Sequence, residues 1–182
     1  MLKLNLTDID KSDIKYKISK FPSGQQNIVI DIIPIGVVQI KSRLNNFLDL
    51  ELICCAVASL RELGIQEIHL YVPFIDGRQD NMFEEGSNYY IKSVLSPIIN
   101  SLNLASVTCI DPHSVVLANC INNFKKETNE LLVHWALLDL YPKTKTGHPY
   151  NEINDFIFIS PDAGASKKIY KLAEKIGYKG DV

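Results

Sequence analysis

The sequence predicts an α/β fold, a parallel sheet flanked by helices on both sides. Two observations lead to this reading. Strand-like and helical runs alternate along the chain at the spacing of βα units. The 182 residues are 46% hydrophobic and 22% charged, enough to bury a core without help from a metal or disulfide.

The elements follow in order. Residues 2–6, 14–19, 27–33 and 37–40 read as short strands, rich in Ile, Val and Leu. From 47 to 63 the apolar residues Leu48, Leu52, Cys55, Val57 and Leu60 recur at helical spacing, and Gly64 supplies a C-terminal stop. The run Glu67-Ile-His-Leu-Tyr-Val72 is a β-rich segment ended by Pro73. A polar loop over 74–87 leads to a second helix over 89–102, and 107–110 is a buried-looking strand. After Asp111-Pro-His113 a helix is expected through about 124, and another over 129–140. The stretch 141–154, rich in Pro, Gly, Thr and Lys, reads as a loop and as the seam between two lobes. A last strand over 155–160 and a helix over 165–176, stopped by Gly177, complete the pattern. The expected division is a first lobe over 1–140 and the start of a second, incomplete lobe over 141–182. Trp135, among leucines at helical spacing, is expected to pack inside, and His69 reads as an ordinary strand residue rather than a ligand.

Composition excludes several classes. A net charge of −2 provides no general field for nucleic acid or an anionic membrane. No apolar run reaches the roughly 18 residues that span a bilayer, and the first residues lack a signal-peptide core. Cys54, Cys55, Cys109 and Cys120 show no metal-ligand spacing and fit a reducing cytosol, so a cytoplasmic protein is expected.

In parallel sheets ligands bind beyond the carboxyl ends of the strands, which singles out loops 73–80, 111–113 and 160–164. In the first, Arg78 offers a donor fork suited to phosphate, and Gln79 can donate and accept as a purine edge requires. A solvated surface loop would have the same composition. Asp111-Pro-His113 sets an acid and an imidazole at a strand end, where they could share a hydrated divalent ion, although a lone histidine is commonly structural. Ser160-Pro-Asp-Ala-Gly164 puts a carboxylate beside a helix N-terminus, where it favours metal or sugar hydroxyls, or simply caps the helix.

Four stretches, taken together, resemble one family: Lys20-Phe-Pro-Ser-Gly-Gln25, Val72-Pro-Phe-Ile-Asp-Gly-Arg-Gln-Asp80, Asp111-Pro-His113 and Ser160-Pro-Asp-Ala-Gly164. From about Lys20 to Lys175 the chain is similar to the N-terminal part of the ribose-phosphate pyrophosphokinases (phosphoribosyl pyrophosphate synthetases). The resemblance implies phosphoribosyltransferase-like lobes and a homo-oligomer, dimer or hexamer. It also implies Mg²⁺-dependent transfer of a pyrophosphoryl group from ATP to the anomeric hydroxyl of ribose 5-phosphate.

Carried over by motif, Phe21, Ser23 and Gln25 fall where a neighbouring subunit's hairpin meets adenine, with Gln25 in place of the family's carboxylate. Arg78, Gln79 and Asp80 match the ATP-binding motif, and His113 and Asp162 match the residues that hold Mg²⁺. The family's catalytic Lys and Arg loop and its ribose 5-phosphate loop are expected beyond Val182. The segment 7–13 is too short and polar for the helix that normally follows the family's first strand. Two alternatives accompany the main reading: transfer to a larger acceptor such as ADP-ribose in NAD salvage, and a non-catalytic nucleotide-binding subunit.

Overall fold

A computed structural model of the chain describes residues 1–7, 11–31, 36–75, 85–86, 88–113, 115–140 and 157–180. These form two compact units, Met1–Glu127 and Thr128–Val182.

In the first unit, β1 (Leu2–Asn5), β4 (Val37–Lys41), β5 (Glu67–Val72), β6 (Ser106–Ile110) and β7 (Phe124–Glu127) make a five-stranded sheet in that order. Every neighbouring pair is parallel. The register aligns Leu4, Ile40, Leu70, Val107 and Phe124 in one row across the sheet. The period of two in each strand sends these apolar residues to one face, where Leu4, Ile40, Leu70 and Val107 are buried.

The helices cover that face. Helix α1 (Phe47–Glu62) buries Leu50, Ile53, Ala56, Val57 and Leu60 into the same core. Asn46 caps it, its Oδ1 accepting from the N–H groups of Leu48 and Asp49 at 2.9 and 3.1 Å. At the other end Gly64 sits at φ +86°, its N–H donating to Arg61 O while the Ile65 N–H reaches Leu60 O at 3.0 Å. A π-helical turn (Tyr90–Leu95) runs into α2 (Ser96–Ser101), and α3 (Val116–Cys120) follows β6. Their residues Ile91, Leu95, Ile99 and Leu117 join the core.

The hairpin of β2 (Tyr16–Lys20) and β3 (Gln26–Ile30) packs along α1, where the Ser59 hydroxyl donates to Ile28 O and the Gln26 amide donates to Leu48 O. β1 is an edge strand, and its backbone is met by residues 12 and 13: Lys3 N–H donates to Asp13 Oδ2 and Asn5 N–H to Ser12 Oγ.

The flanked parallel sheet agrees with the sequence reading, but within this unit the layers are not symmetrical. The strand order runs in one direction without reversing, so right-handed crossovers place their helices on a single face. The opposite face carries Lys3, Asn5, Gln39, Lys41, His69, Tyr71, Ser106 and Thr108 and is mainly polar, with Val37 and Ile110 as its apolar members.

Three further differences concern elements. The helix expected to reach residue 124 ends at Cys120, and Phe124–Glu127 is a strand instead, because it extends the ladder of β6. Of the strand expected over 155–160, residues 157–160 form no ladder, and Ile157 and Ile159 stand 79% and 78% exposed. Trp135 is 57% exposed rather than packed inside. His69 is a strand residue held by Ser106 Oγ at 2.7 Å and Glu67 Oε1 at 3.1 Å.

The second unit contains α4 (Glu130–Leu140) and α5 (Ser166–Lys175). Lys175 pairs with Glu130, and the rings of Phe158 and Tyr178 meet edge to face at 4.6 Å. Gly177, at φ +71°, ends α5 with the Tyr178 N–H on Ala173 O. The expected loop over 141–154 lies outside the described residues. No described helix is long and apolar enough to cross a membrane.

Candidate functional site

Strands β5 and β6 are adjacent and parallel, with Val72 opposite Cys109, so the segments after them leave the sheet at the same edge. The Ile110 N–H donates to Pro73 O at 3.3 Å and fixes one segment beside the other. The structure thus brings the start of loop 73–80 together with Asp111-Pro-His113, as expected for a ligand crevice. Arg78, Gln79 and Asp80 themselves lie outside the described residues.

Asp111 adopts φ +41°, a left-handed conformation that costs energy for any residue with a Cβ and that Asp tolerates better than most. Its N–H still completes the ladder to Glu127 O at 2.7 Å. The turn buries Pro112 and leaves the His113 side chain exposed at the sheet edge. Strain of this kind, held beside a ligand-binding edge, is typical of positions that aim a functional side chain.

On the hairpin, Gly24 N–H donates to Phe21 O and Phe21 N–H to Gln25 O, both at 2.9 Å. Gly24 at φ +96° supplies the left-handed residue that a three-residue hairpin loop requires. Phe21 is 50% exposed at this tip, and Ser23 and Gln25 are exposed beside it. All three stand on the same unit as His113.

Asp162 belongs to the second unit. Its Oδ1 accepts from the Ala165 N–H at 2.8 Å, and Ser160 Oγ donates to its backbone carbonyl at 2.6 Å. The carboxylate therefore closes the turn before α5 without capping the helix, whose N-cap is Ala165 and has no side-chain cap hydrogen bond. A Cβ at Gly164 would stand 3.1 Å from Asp162 Oδ1, so a larger residue there would press on the carboxylate.

His113 belongs to the first unit and Asp162 to the second; of the two, the carboxylate is the ordinary kind of oxygen ligand for a hydrated Mg²⁺. Among the described residues, no group of three or more His, Cys, Asp or Glu could hold a metal by itself.

Two hollows of the first unit were not foreseen. One, of about 520 Å³, lies on the polar face of the sheet and is lined by Lys3, Lys11, Lys41, Asp13, Tyr71 and Glu127 among others. Burial raises the Tyr71 pKa, and the charge of Glu127 and its hydrogen bond to the phenol raise it further. The second, of about 230 Å³, lies at the sheet edge between Thr7, Lys41, Arg43, Asn45, Pro73 and Phe74. The signal for it was present in the sequence: Thr7 and Arg43 also stand just past strand ends, where the same edge rule applies.

No family model matches the chain, and no curated protein sequence matches it. Among solved structures, the crystal structure of phosphoribosylpyrophosphate synthetase from Mycobacterium smegmatis is similar, with a TM-score of 0.70 at 12% identity. The match covers 92% of this chain and 54% of that one, so the chain spans about half the synthetase's length. At this identity the likeness establishes the fold, a phosphoribosyltransferase-like α/β architecture.

Proposed function

We propose that the protein binds ATP with Mg²⁺ and serves pyrophosphoryl transfer to the anomeric hydroxyl of ribose 5-phosphate, giving phosphoribosyl pyrophosphate and AMP. The observation that carries this reading is the fold likeness to a phosphoribosylpyrophosphate synthetase over 92% of the chain. In support, the motif Val72–Asp80 begins at the carboxyl end of a central strand, at the edge that also presents His113.

In the proposed reaction the anomeric oxygen attacks the β-phosphorus of ATP, the bond to the α,β-bridging oxygen breaks, and the hydroxyl proton passes to solvent. Such transfers depend on alignment and charge neutralisation more than on a strong base. Arg78 would hold phosphate oxygens bidentately, and Gln79 and Asp80 would fix the nucleotide. His113 and Asp162 would hold Mg²⁺, which when bound offsets phosphate charge. Phe21, Ser23 and Gln25, exposed at the hairpin tip, would meet adenine in a second copy of the chain, which makes the working form a homo-oligomer in the cytoplasm. The second reading is the same transfer to a larger acceptor such as ADP-ribose.

The test is ³¹P NMR of the full chain with Mg²⁺ and ATP, alone and with ribose 5-phosphate or ADP-ribose. AMP formed only with an acceptor supports transfer and identifies that acceptor. No AMP with either acceptor contradicts transfer by this chain.

A further inference from the structure

We propose that Glu127 is a positioning residue for the candidate site: clasped to the Tyr71 phenol, it holds the left-handed Asp111 turn that presents His113. The functional part of this inference rests on the nucleotide reading of that sheet edge.

The clasp crosses a strand. On the mainly polar face, Tyr71 of β5 stands level with Thr108 of β6 and Lys125 of β7, while Glu127 lies further toward the carboxyl edge, opposite Ile110. The Tyr71 phenol donates to the Glu127 carboxylate, so it reaches across β6 toward that edge. Thr108, between the two strands, is buried.

Glu127 makes a second bond through its backbone. Its carbonyl accepts the Asp111 N–H at 2.7 Å, the rung just past the end of β6. There the chain enters the φ +41° conformation of Asp111, followed by buried Pro112 and exposed His113. A left-handed residue with a Cβ persists only where its surroundings hold it. This rung is the hold on the Asp111 N–H.

The sequence of β7 explains why the rung needs a side chain. β7 is the last strand of the sheet, and only its start is anchored by packing. Phe124 packs against the core, and the Asn123 amide donates to Leu104 O at 3.0 Å. Lys125, Lys126 and Glu127 are exposed, so apolar burial does not secure the end of the strand. Ladder ends with few buried contacts are the first to open. A hydrogen bond to a carboxylate is of the stronger kind and supplies what burial does not.

The test is amide hydrogen exchange of the full chain by NMR, beside calorimetric titration with MgATP, in wild type, Tyr71→Phe, Glu127→Ala and Glu127→Gln. In Tyr71→Phe and Glu127→Ala the Asp111 amide should exchange at least about tenfold faster and the His113 ring signals should shift. The core amides of Leu70 and Val107 should keep their wild-type protection. Glu127→Gln retains a side-chain oxygen that accepts from the phenol and should restore slow exchange. MgATP affinity should follow the same order, falling at least about threefold in the first two variants and recovering in the third. Wild-type exchange at Asp111 in Tyr71→Phe and Glu127→Ala overturns the clasp, as does equal acceleration at Leu70 and Val107. Faster exchange at Asp111 with wild-type MgATP affinity overturns the positioning role. Absence of MgATP binding in the wild type overturns the nucleotide reading and the role at His113 with it, while the exchange result still decides the clasp.

Discussion

The Asp162 carboxylate accepts a hydrogen bond from the Ala165 backbone N–H at 2.8 Å, closing the turn that leads into α5. One side chain thus has a visible structural task and a proposed ligand task, and two substitutions separate them. Asp162→Ala should cost about 1 kcal/mol by losing this hydrogen bond. Asp162→Asn keeps a side-chain oxygen that can accept from the Ala165 N–H and should leave Tm almost unchanged, while Mg²⁺-dependent nucleotide binding falls at least tenfold. Full nucleotide binding in Asp162→Asn would reduce the residue to its structural role.

Gly64 ends α1 in a left-handed conformation, and nothing lies within 4 Å of where its Cβ would be. Gly64→Ala therefore meets no clash, and its whole cost is backbone strain, about 1–2 kcal/mol. Chemical denaturation with an unchanged m-value and a lower midpoint would confirm this. Equal stability would mean that the turn relaxes to another conformation.

Burial pushes the Cys109 thiol above its ordinary value; the Asp111 charge adds to this, against a hydrogen bond from the Ile75 backbone that lowers it. Burial likewise raises Cys54 and Cys55, with neighbouring Cys55 and Glu51 contributing. A raised folded pKa gives stability that is fully present below the unfolded thiol value, about 8.5, and lost as pH rises through the folded value. The melting temperature should accordingly fall above about pH 8.5. Maleimide at neutral pH should leave Cys109 unmodified until the protein is unfolded. Rapid labelling of Cys109 in the native chain would contradict its burial.

Phe21 is half exposed and contributes little to the core of its own unit. Phe21→Ser should change stability by less than about 0.5 kcal/mol, as exposed substitutions do. It should weaken both self-association and nucleotide binding if the tip completes a second copy's site. Light scattering at tens of micromolar is expected to show at least a dimer for the wild type. A strictly monomeric wild type would contradict this assembly.

Where pattern and ladder coincide, the fold was legible in the sequence. Glu67–Val72 alternates Ile68, Leu70 and Val72 against polar residues and forms β5 with those bounds. α1 differs from its expected end by one residue, because Gly64 marks the stop chemically. β7 was not legible: Phe124-Lys-Lys-Glu127 has no apolar alternation and is a strand only because β6 pairs with it. The reverse holds at Ile157 and Ile159, which have strand composition and no ladder partner among the described residues. Nor could the polar second face be foreseen, since it follows from strand order, a tertiary property. At the site, the edge rule placed Asp111 and His113 correctly beyond β6. The meeting of Thr7 and Arg43 depends on β1 lying next to β4, a pairing that no local pattern in the sequence specifies.

The central claim is that this chain holds MgATP through the motif that follows β5. Calorimetric titration of MgATP into the wild-type chain and into Arg78→Ala tests it most directly. Saturable binding is expected in the wild type, weakened in the variant by roughly 1.5–3 kcal/mol, the worth of a charge-assisted contact. Wild-type affinity in Arg78→Ala, or no heat of binding in either protein, would contradict it.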